Sequence, residues 1–453
     1  MNGMGQGGIP DARVTTSGIT EATVRHMAKL PRELALHHRD ERVDNQGYVD
    51  DGLLCSDNTE SSGRATELYG DMMDELSMEA HPEKSVQVVA GAAEWREKIK
   101  EDLLANPNRL QSFPVKLSKE EKYLGLYLVE GSYRQMIDKN IEVKSNLMMA
   151  AACEIRTLCN LPQIRRFGKS FAQKLMAQSQ VYPIGLYGTP AWISISQEQY
   201  KAMEGALQAS LNAIMSVPKY TNHEAVLRVM NLIHMEQVVD CIKLKIWNHK
   251  LNTKKKGKMF RVLLFEIVNK IEGGLASDLS NLSKKYSIPD ITQQFVCPEV
   301  ITKACRDASY WKQWRANLSL RHVPLAPMVG KARHWYHELP YHLSRGVIML
   351  ELGLLVTKST QPHLMLKKNM ASKHDRKCLA PMCSEPDSYS HLVAGCPFYV
   401  TKFNDTGNPV LDNADFIHRV SMERTRVYSQ SMAQRRESCH RSAIFRFQNC
   451  YYT

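Results

Sequence analysis

Two adjacent aspartates, Asp50 and Asp51, have the residue type and spacing that could support catalysis with a bound cation. They lie between two short apolar runs and are followed by Gly52, in the stretch NQGYVDDGLLCS at residues 45–56. Asp and Gly between apolar runs predict a β-hairpin with the two carboxylates at its tip. Because like charges repel, the pair has two interpretations: a solvated turn, or a site for a hard cation such as Mg²⁺ that shares substrate phosphate oxygens.

A second set of residues suited to chemistry lies much later in the chain. Cys378, Cys383, His391 and Cys396 are separated by four, seven and four residues. Three thiolates and one imidazole suit tetrahedral Zn²⁺, and two short arms around a longer loop are typical of structural zinc sites. The spacing therefore predicts a zinc site, with four ordinary residues of a loop as the alternative.

The elements that must position the aspartates follow the predicted hairpin. Apolar residues at helical spacing predict a helix that begins near Asn58 or Thr59 and ends before Pro82. A strand at 84–90 and a second helix, with Trp95, Ile99 and Leu103 on one face, come next. Two further strand-like stretches are 112–117 and 122–128. The order predicts an α+β fold in which helices cover one face of an antiparallel sheet.

Later segments are mostly helical by the same criterion. Residues 133–250 show apolar spacing of the helical kind, 252–258 form a basic linker, and the tail after 404 is rich in arginine. These changes in pattern predict five segments: 1–130, an α+β segment; 131–251, helical; 259–377, a helical connector; 378–403, the zinc site; and 404–453, a basic tail.

Composition limits the class of protein. With 43% hydrophobic and 23% charged residues, the chain of 453 residues is that of an ordinary globular protein. No apolar run is long enough for a membrane span, and the first residues do not form a signal peptide. Eleven scattered cysteines favour a reducing, intracellular compartment (nucleus or cytoplasm) over secretion. The net charge of +12 favours a polyanionic partner.

The residues of the predicted hairpin, and several segments around it, resemble motifs of a known protein family. GYVDDG at 47–52 resembles the Tyr/Phe-x-Asp-Asp hairpin of reverse transcriptases. GMGQG at 3–7 resembles the Gly-x-Pro-Gln-Gly segment that precedes it in that family, and AHPEKS at 80–85 resembles the segment with a phosphate-neighbouring lysine. KYLG at 122–125 and PIGLYGTPAW at 183–192 are similar to the primer-grip strand and thumb of non-LTR (LINE-like) retrotransposon enzymes. The Cys-His set resembles the CCHC knuckle downstream of their thumb.

The resemblance implies RNA-directed DNA polymerase chemistry, in which two Mg²⁺ ions hold the attacking and leaving oxygens of an in-line displacement. It assigns metal binding to Asp50, with Asp51 as a weaker or outer ligand, and assigns stabilisation of the pyrophosphate to Lys84. An RNA template, a DNA primer and the incoming nucleotide are the implied partners. The residues implied to contact them are Gln6, Gly7, Tyr48, Tyr123 and Gly125. For Lys84 a surface lysine, and for Gln6 and Gly7 a terminus without contacts, are the alternatives.

Departures from the family pattern shape the expected function. The sequence begins at the Gly-rich segment, so the strand with a third aspartate and the fingers are missing, and Gly5 replaces the usual proline. The sequence therefore predicts the C-terminal portion of a reverse transcriptase, with partial palm, thumb and zinc knuckle, which binds Mg²⁺ weakly and is inactive alone. The alternative is a non-enzymatic nucleic-acid-binding protein derived from a retroelement. The oligomeric state is left open.

Aromatic and basic residues mix between the predicted helices and the zinc site. Trp311 and Trp314 are about one helical turn apart, with Lys312 and Arg315 beside them. Such a surface can follow phosphates and stack bases, although a tryptophan pair at this spacing is more often part of a core. No residue pattern of a hydrolase or of a restriction-like endonuclease is found in the sequence.

Overall fold

The computed structural model describes a large, mostly helical part of the chain. The described residues are 25, 28–29, 37–38, 41–42, 45–48, 51–56, 59–75, 85–91, 93–105, 116–161, 164, 169–253, 258–319, 348, 352, 383–385, 391 and 396.

The elements come in the order that the sequence predicts: hairpin, helix, strand, helix, strands, and then helices. The strands are β1 (His37–His38), β2 (Glu41–Arg42), β3 (Asn45–Tyr48), β4 (Asp51–Leu54), β5 (Val86–Gln87), β6 (Lys116–Leu117), β7 (Glu120–Tyr123) and β8 (Leu126–Val129). The helices are α1 (Thr59–Glu75), α2 (Ala93–Ala105), α3 (Tyr133–Cys159), α4 (Lys169–Met176), α5 (Tyr182–Leu186), α6 (Gln197–Met215), α7 (His223–Val229), α8 (Met235–Asn252), α9 (Lys258–Val268), α10 (Leu275–Lys285) and α11 (Pro298–Ser319). A coarse α+β fold is therefore confirmed.

The predicted hairpin around the aspartate pair is confirmed at the level of the backbone. Strands β3 and β4 pair antiparallel, with Tyr48 opposite Asp51 and Gly47 opposite Gly52. Two glycines facing each other leave no side chain on either strand at that rung, so the backbones pair without steric hindrance. The register leaves two residues, Val49 and Asp50, between the paired strands.

The strands do not join into the single antiparallel sheet that the sequence predicts. Within the described residues they form four two-stranded sheets, β1–β2, β3–β4, β5–β6 and β7–β8. Strands β5 and β6 are parallel, with Val86 opposite Lys116. The pairs β3–β4 and β7–β8 are local hairpins that need no partner distant in sequence, and alternating residues alone do not specify which strands become neighbours.

Helix α1 is the amphipathic helix that the spacing predicts. It begins at Thr59, and its buried side chains include Ala65, Leu68, Met72 and Met73. Burying a side chain of the size of Leu68 or Met72 contributes about 1.5–3 kcal/mol to folding. The hydroxyl of Thr59 donates to the carboxylate of Asp102 on α2, which links the two helices at their ends.

The chain divides into two compact units. The first consists of Met1–Asn146, Leu186–Met203 and Val239–Ala304, and the second of Leu147–Gly185, Glu204–Val238 and Cys305–Thr453. The five predicted segments follow the chain and are not tested by this division, so they remain predictions. Among the described helices, none combines the length and apolar character that crossing a bilayer requires.

One loop of the first unit is held in place by hydrogen bonds to its backbone carbonyl oxygens. We call residues 187–192 the clamped segment. Each of these six residues accepts a hydrogen bond at its backbone oxygen. The donors, from Tyr187 to Trp192, are the Lys144 ammonium, the Ala191 N–H, the Trp192 N–H, the Trp247 indole N–H, the Tyr133 hydroxyl and the Lys243 ammonium. Since side chains of α3 and α8 supply four of these donors, the loop is rigid although it is not part of a long helix.

The helical pattern over residues 222–251 is interrupted. Helix α7 ends at Val229 and α8 begins at Met235, while Asn231 between them has a φ of 49°. Asn tolerates this left-handed backbone better than most residues. The side chain of Asn222 caps α7 by accepting from the Ala225 N–H at 3.0 Å. The break allows α7 and α8 to be separate short elements.

Candidate metal centre

Three of the four predicted zinc ligands are described, and they lie together. The ligand atoms of Cys383, His391 and Cys396 are all within 4.8 Å of one another. The Cys383 Sγ is 3.2 Å from the His391 Nε2. Cys396 is fully buried, whereas Cys383 and His391 are partly buried. Residues separated by seven and four positions therefore converge on one point, as the sequence predicts.

The distances between these atoms fit a tetrahedral zinc site. With Zn–S of about 2.3 Å and Zn–N of about 2.0 Å, two ligand atoms of a tetrahedron are about 3.5 Å (S to N) or 3.8 Å (S to S) apart. The Sγ–Nε2 distance of 3.2 Å is close to the first of these values. Cys383 and Cys396 form no disulfide bond with a described residue, so both sulfurs can serve as zinc ligands. The described residues could therefore hold a metal such as zinc.

A metal ion at this site is expected to stabilise the structure and not to take part in catalysis. Cys378, the predicted fourth ligand, lies outside the described residues. A structural zinc takes four protein ligands, whereas a catalytic zinc keeps one position for water. With Cys378 as ligand the ion would stabilise the local fold, because segments of this length bury little apolar surface of their own.

The residues predicted to carry out polymerisation are only partly described. Tyr48 ends β3 and Asp51 begins β4, directly opposite each other, as the hairpin prediction requires. The predicted residues Asp50, Lys84, Gln6 and Gly7 lie outside the described residues. Binding of Mg²⁺ by Asp50 and Asp51 is therefore still a prediction.

Tyr123 and Gly125 belong to a hairpin, whereas the sequence favours one strand over residues 122–128. Tyr123 ends β7, and the turn consists of Leu124 and Gly125, whose φ values are 48° and 79°. Two positive φ values are those of a type I′ turn, which matches the twist of a two-residue hairpin. The Tyr187 hydroxyl donates to the Leu124 carbonyl at 2.5 Å, so the clamped segment supports this turn.

A buried group of polar residues in the second unit was not predicted from the sequence. The Ser309 hydroxyl is 2.7 Å from the His234 Nδ1, and the His234 Nε2 is 2.7 Å from a Glu224 carboxylate oxygen. The last contact is short, but among the described residues neither atom has a partner with hydrogen-bond geometry, and the contact is an ion pair only when His234 is protonated. Burial raises the pKa of Glu224, and the neighbouring His234 and His223 lower it by more, so its pKa is below the usual value.

Serine, imidazole and carboxylate in this order form the relay of many nucleophilic enzymes. Here Ser309 and His234 have no exposed surface. A substrate carbonyl cannot reach a hydroxyl that is buried in this way, so the relay is structural. Ser309 also accepts from the His234 backbone N–H at 3.1 Å, and Gln313 donates to the Leu232 carbonyl at 3.0 Å. These contacts attach α11 to the loop between α7 and α8.

Comparison with known proteins adds no further information on the site. The chain matches no protein-family model, and no curated protein or solved structure similar to it was found.

Helix α11 also corrects the interpretation of Trp311. The spacing favours a core position for Trp311, but 52% of this residue is exposed. The helix buries Cys305, Ser309 and Gln313, which are spaced by four residues, and Trp311 lies outside this stripe. The spacing favoured a buried position for Trp311, but spacing alone does not identify which side of a helix is covered by the rest of the protein.

Proposed function

We propose that this chain is a homologue of the reverse transcriptases of non-LTR retrotransposons and that it binds an RNA template paired with a DNA primer. The observation that carries the proposal is the register of the β3–β4 hairpin, with Tyr48 opposite Asp51. In a polymerase the carboxylates must reach the primer terminus together with two cations. A tight hairpin that carries two adjacent carboxylates can supply two metal ligands from neighbouring residues.

The chemistry of the aspartates supports the same proposal. Adjacent carboxylates at the end of a short hairpin repel each other, and a divalent cation removes that repulsion while it binds phosphate oxygens. Asp50 would be the principal Mg²⁺ ligand and Asp51 a weaker one. Lys84, which comes one residue before the described Ser85 and two before β5, would neutralise the leaving pyrophosphate.

The rest of the described chain supports it through the order of its elements. The aspartate hairpin is followed by the β7–β8 hairpin with the KYLG turn, then by helices α3 to α8, and finally by the Cys383, His391 and Cys396 group. This is the order of palm, primer grip, thumb and zinc knuckle in the proposed family. The net charge of +12 suits a nucleic-acid partner.

Binding and primer extension test the proposal together. The wild-type chain and the variants Asp50→Asn and Asp51→Asn would be mixed with a labelled RNA–DNA primer–template, dNTPs and Mg²⁺ or Mn²⁺. Asp71→Asn is the matched control, since it removes the same charge from an exposed position of α1. We expect binding whose log affinity falls linearly with log salt, by about 0.9 for each phosphate neutralised on a duplex.

The extension result separates the two candidate functions. Synthesis that Asp50→Asn abolishes and Asp71→Asn preserves would establish a polymerase. Binding without synthesis is the result expected of a reverse-transcriptase portion that is inactive alone, and it agrees equally with the non-enzymatic protein derived from a retroelement. Absence of nucleic-acid binding at low salt, or synthesis that is equal in wild type and Asp50→Asn, would contradict the proposal.

A further inference from the structure

The Cys383, His391 and Cys396 group brings two sulfur atoms close enough for a reaction other than metal binding. The Sγ atoms of Cys383 and Cys396 lie within 4.8 Å of each other. A disulfide has an S–S length of about 2.05 Å, so these sulfur atoms must approach by about 3 Å at most. A change of χ1 between two staggered rotamers moves a cysteine sulfur by roughly this distance. Because a metal ion needs thiolates, the same two side chains can bind zinc or form a disulfide, but not both.

The two cysteines differ in their access to solvent. Cys383 is partly exposed, whereas Cys396 is fully buried. A small dissolved oxidant such as hydrogen peroxide therefore reaches the sulfur of Cys383 first. Susceptibility to oxidation follows exposure and thiolate character, and redox-sensing cysteines often have a second, resolving cysteine beside them. By its exposure Cys383 suits the reacting position, and by its proximity Cys396 suits the resolving position.

We propose that Cys383 and Cys396 form a redox switch, in which hydrogen peroxide converts the two zinc-binding thiolates into a disulfide and the zinc ion is released. The inference goes beyond the proposed function, because it rests on the metal centre and not on the binding of a primer–template. It adds a regulatory property to residues whose expected role is otherwise structural.

The reaction conserves atoms and electrons in each step. The Cys383 thiolate attacks one oxygen of the peroxide, the O–O bond breaks and hydroxide leaves, so that Cys383 becomes a sulfenic acid. The Cys396 thiolate then attacks the Cys383 sulfur, the S–O bond breaks, a second hydroxide leaves and the S–S bond forms. Two electrons pass from the thiolates to one peroxide, and two protons from solvent convert the hydroxides into water. His391 and the predicted ligand Cys378 then remain, and two ligands are too few for a structural zinc site.

Zinc release from the full-length, zinc-loaded chain provides the first test. Hydrogen peroxide is added in about tenfold excess, a chromogenic chelator measures the released zinc, and peptide mass spectrometry maps the disulfides. We expect about one zinc released for each Cys383–Cys396 disulfide formed, and dithiothreitol followed by added zinc should restore the bound metal. The matched control is the double variant Cys153→Ser and Cys297→Ser, which removes two exposed thiols elsewhere and should release zinc as the wild type does.

A second variant separates the two steps of the reaction. In Cys396→Ser the resolving sulfur is absent, so the sulfenic acid of Cys383 should persist and be captured by dimedone, a reagent that adds to sulfenic acids. The wild type should give at least about fivefold less adduct at Cys383, because the disulfide forms instead. Circular dichroism checks that the helices of the variant are intact.

Three results would overturn the inference. Zinc that stays bound at a peroxide concentration that oxidises the exposed Cys153 would show that the site is not sensitive to peroxide. A disulfide between Cys383 and Cys378, or equal dimedone labelling of Cys383 in wild type and Cys396→Ser, would show that Cys396 is not the resolving cysteine. A purified chain without zinc would refute the metal centre and the switch together, whereas the proposed function is tested separately by binding and extension of the primer–template.

Discussion

Lys144 makes the stability of the first unit depend on pH in a predictable direction. This lysine of α3 is buried, with 6% of its surface exposed, and its Nζ donates to the Tyr187 carbonyl. The Nζ lies 5.1 Å and 5.3 Å from the ring centroids of Tyr187 and Trp192. It makes no ion pair with a carboxylate in the part of the chain that the structure describes. Burial therefore lowers the pKa of Lys144 from 10.5 to about 8.

The size of the effect of pH on stability follows from the difference between the pKa of Lys144 in the folded and unfolded chain. Moving the pKa of Lys144 from 10.5 to about 8 corresponds to about 3 kcal/mol between the charged and neutral forms. Attraction of the ammonium to the two rings, about 0.5–2 kcal/mol for each, offsets part of this cost. Between pH 8 and pH 10.5 the unfolded chain holds a proton that the folded chain has released. The free energy of unfolding should therefore rise with pH across this window, by about 1–3 kcal/mol.

Urea unfolding of wild type and Lys144→Met at pH 7, 8, 9 and 10 measures the effect. The methionine has a similar length and no charge, so the variant should lack the rise, and its stability relative to wild type should fall as the pH increases. Lys122→Met is the control, since Lys122 is exposed on β7. Titration of other groups affects all three proteins and cancels in the comparison. A difference between wild type and Lys144→Met that is constant from pH 7 to pH 10 would refute the reasoning.

Three further predictions concern the metal centre, the KYLG turn and the buried serine. The purified protein should contain about one zinc per chain by elemental analysis. Cys383→Ser should remove most of this zinc, whereas Cys153→Ser, which replaces an exposed thiol elsewhere in the chain, should leave it unchanged. An unchanged zinc content in Cys383→Ser would contradict the ligand assignment. Gly125→Ala should lower the free energy of unfolding by about 1–2 kcal/mol, because φ is 79° and an added Cβ would lie 3.1 Å from the Tyr187 ring. Gly205→Ala, in α6 with no atom within 4 Å, should instead be neutral or stabilising, and equal effects of the two in a urea titration would disprove the turn argument. A fluorophosphonate probe should not label Ser309, which has no exposed surface, and labelling that Ser309→Ala removes would make the relay with His234 and Glu224 catalytic.

Predictions from the sequence succeeded where neighbours along the chain determine the structure. The hairpin at β3–β4 and helix α1 depend on turn residues and on apolar spacing over fewer than twenty positions. The KYLG turn was missed because Leu124 has a φ of 48°, a conformation for which leucine gives no signal. The break at Asn231 was missed for a similar reason, since apolar residues at helical spacing continue on both sides of it.

Contacts between distant residues were beyond the reach of the sequence. His234 and Ser309 are 75 positions apart, and nothing in the local pattern of either residue indicates that they meet. The same holds for the clamped segment, where donors from α3 and α8 converge on successive carbonyls. Which side of α11 is covered also depends on such contacts. For this reason the exposure of Trp311 became evident only from the structure.

The two predicted metal sites differ in what residue type alone can indicate. Three cysteines and a histidine at short spacing have few common uses other than a metal site, so their types predicted the convergence of Cys383, His391 and Cys396. Aspartate and glycine are also common in turns, so Asp50 and Asp51 predict the hairpin equally well with and without a cation. The confirmed register of β3 and β4 supports both interpretations of the turn for the same reason. A magnesium site is separated from a surface loop only by a property that a solvated turn lacks. Primer extension that Asp50→Asn abolishes and Asp71→Asn does not is such a property.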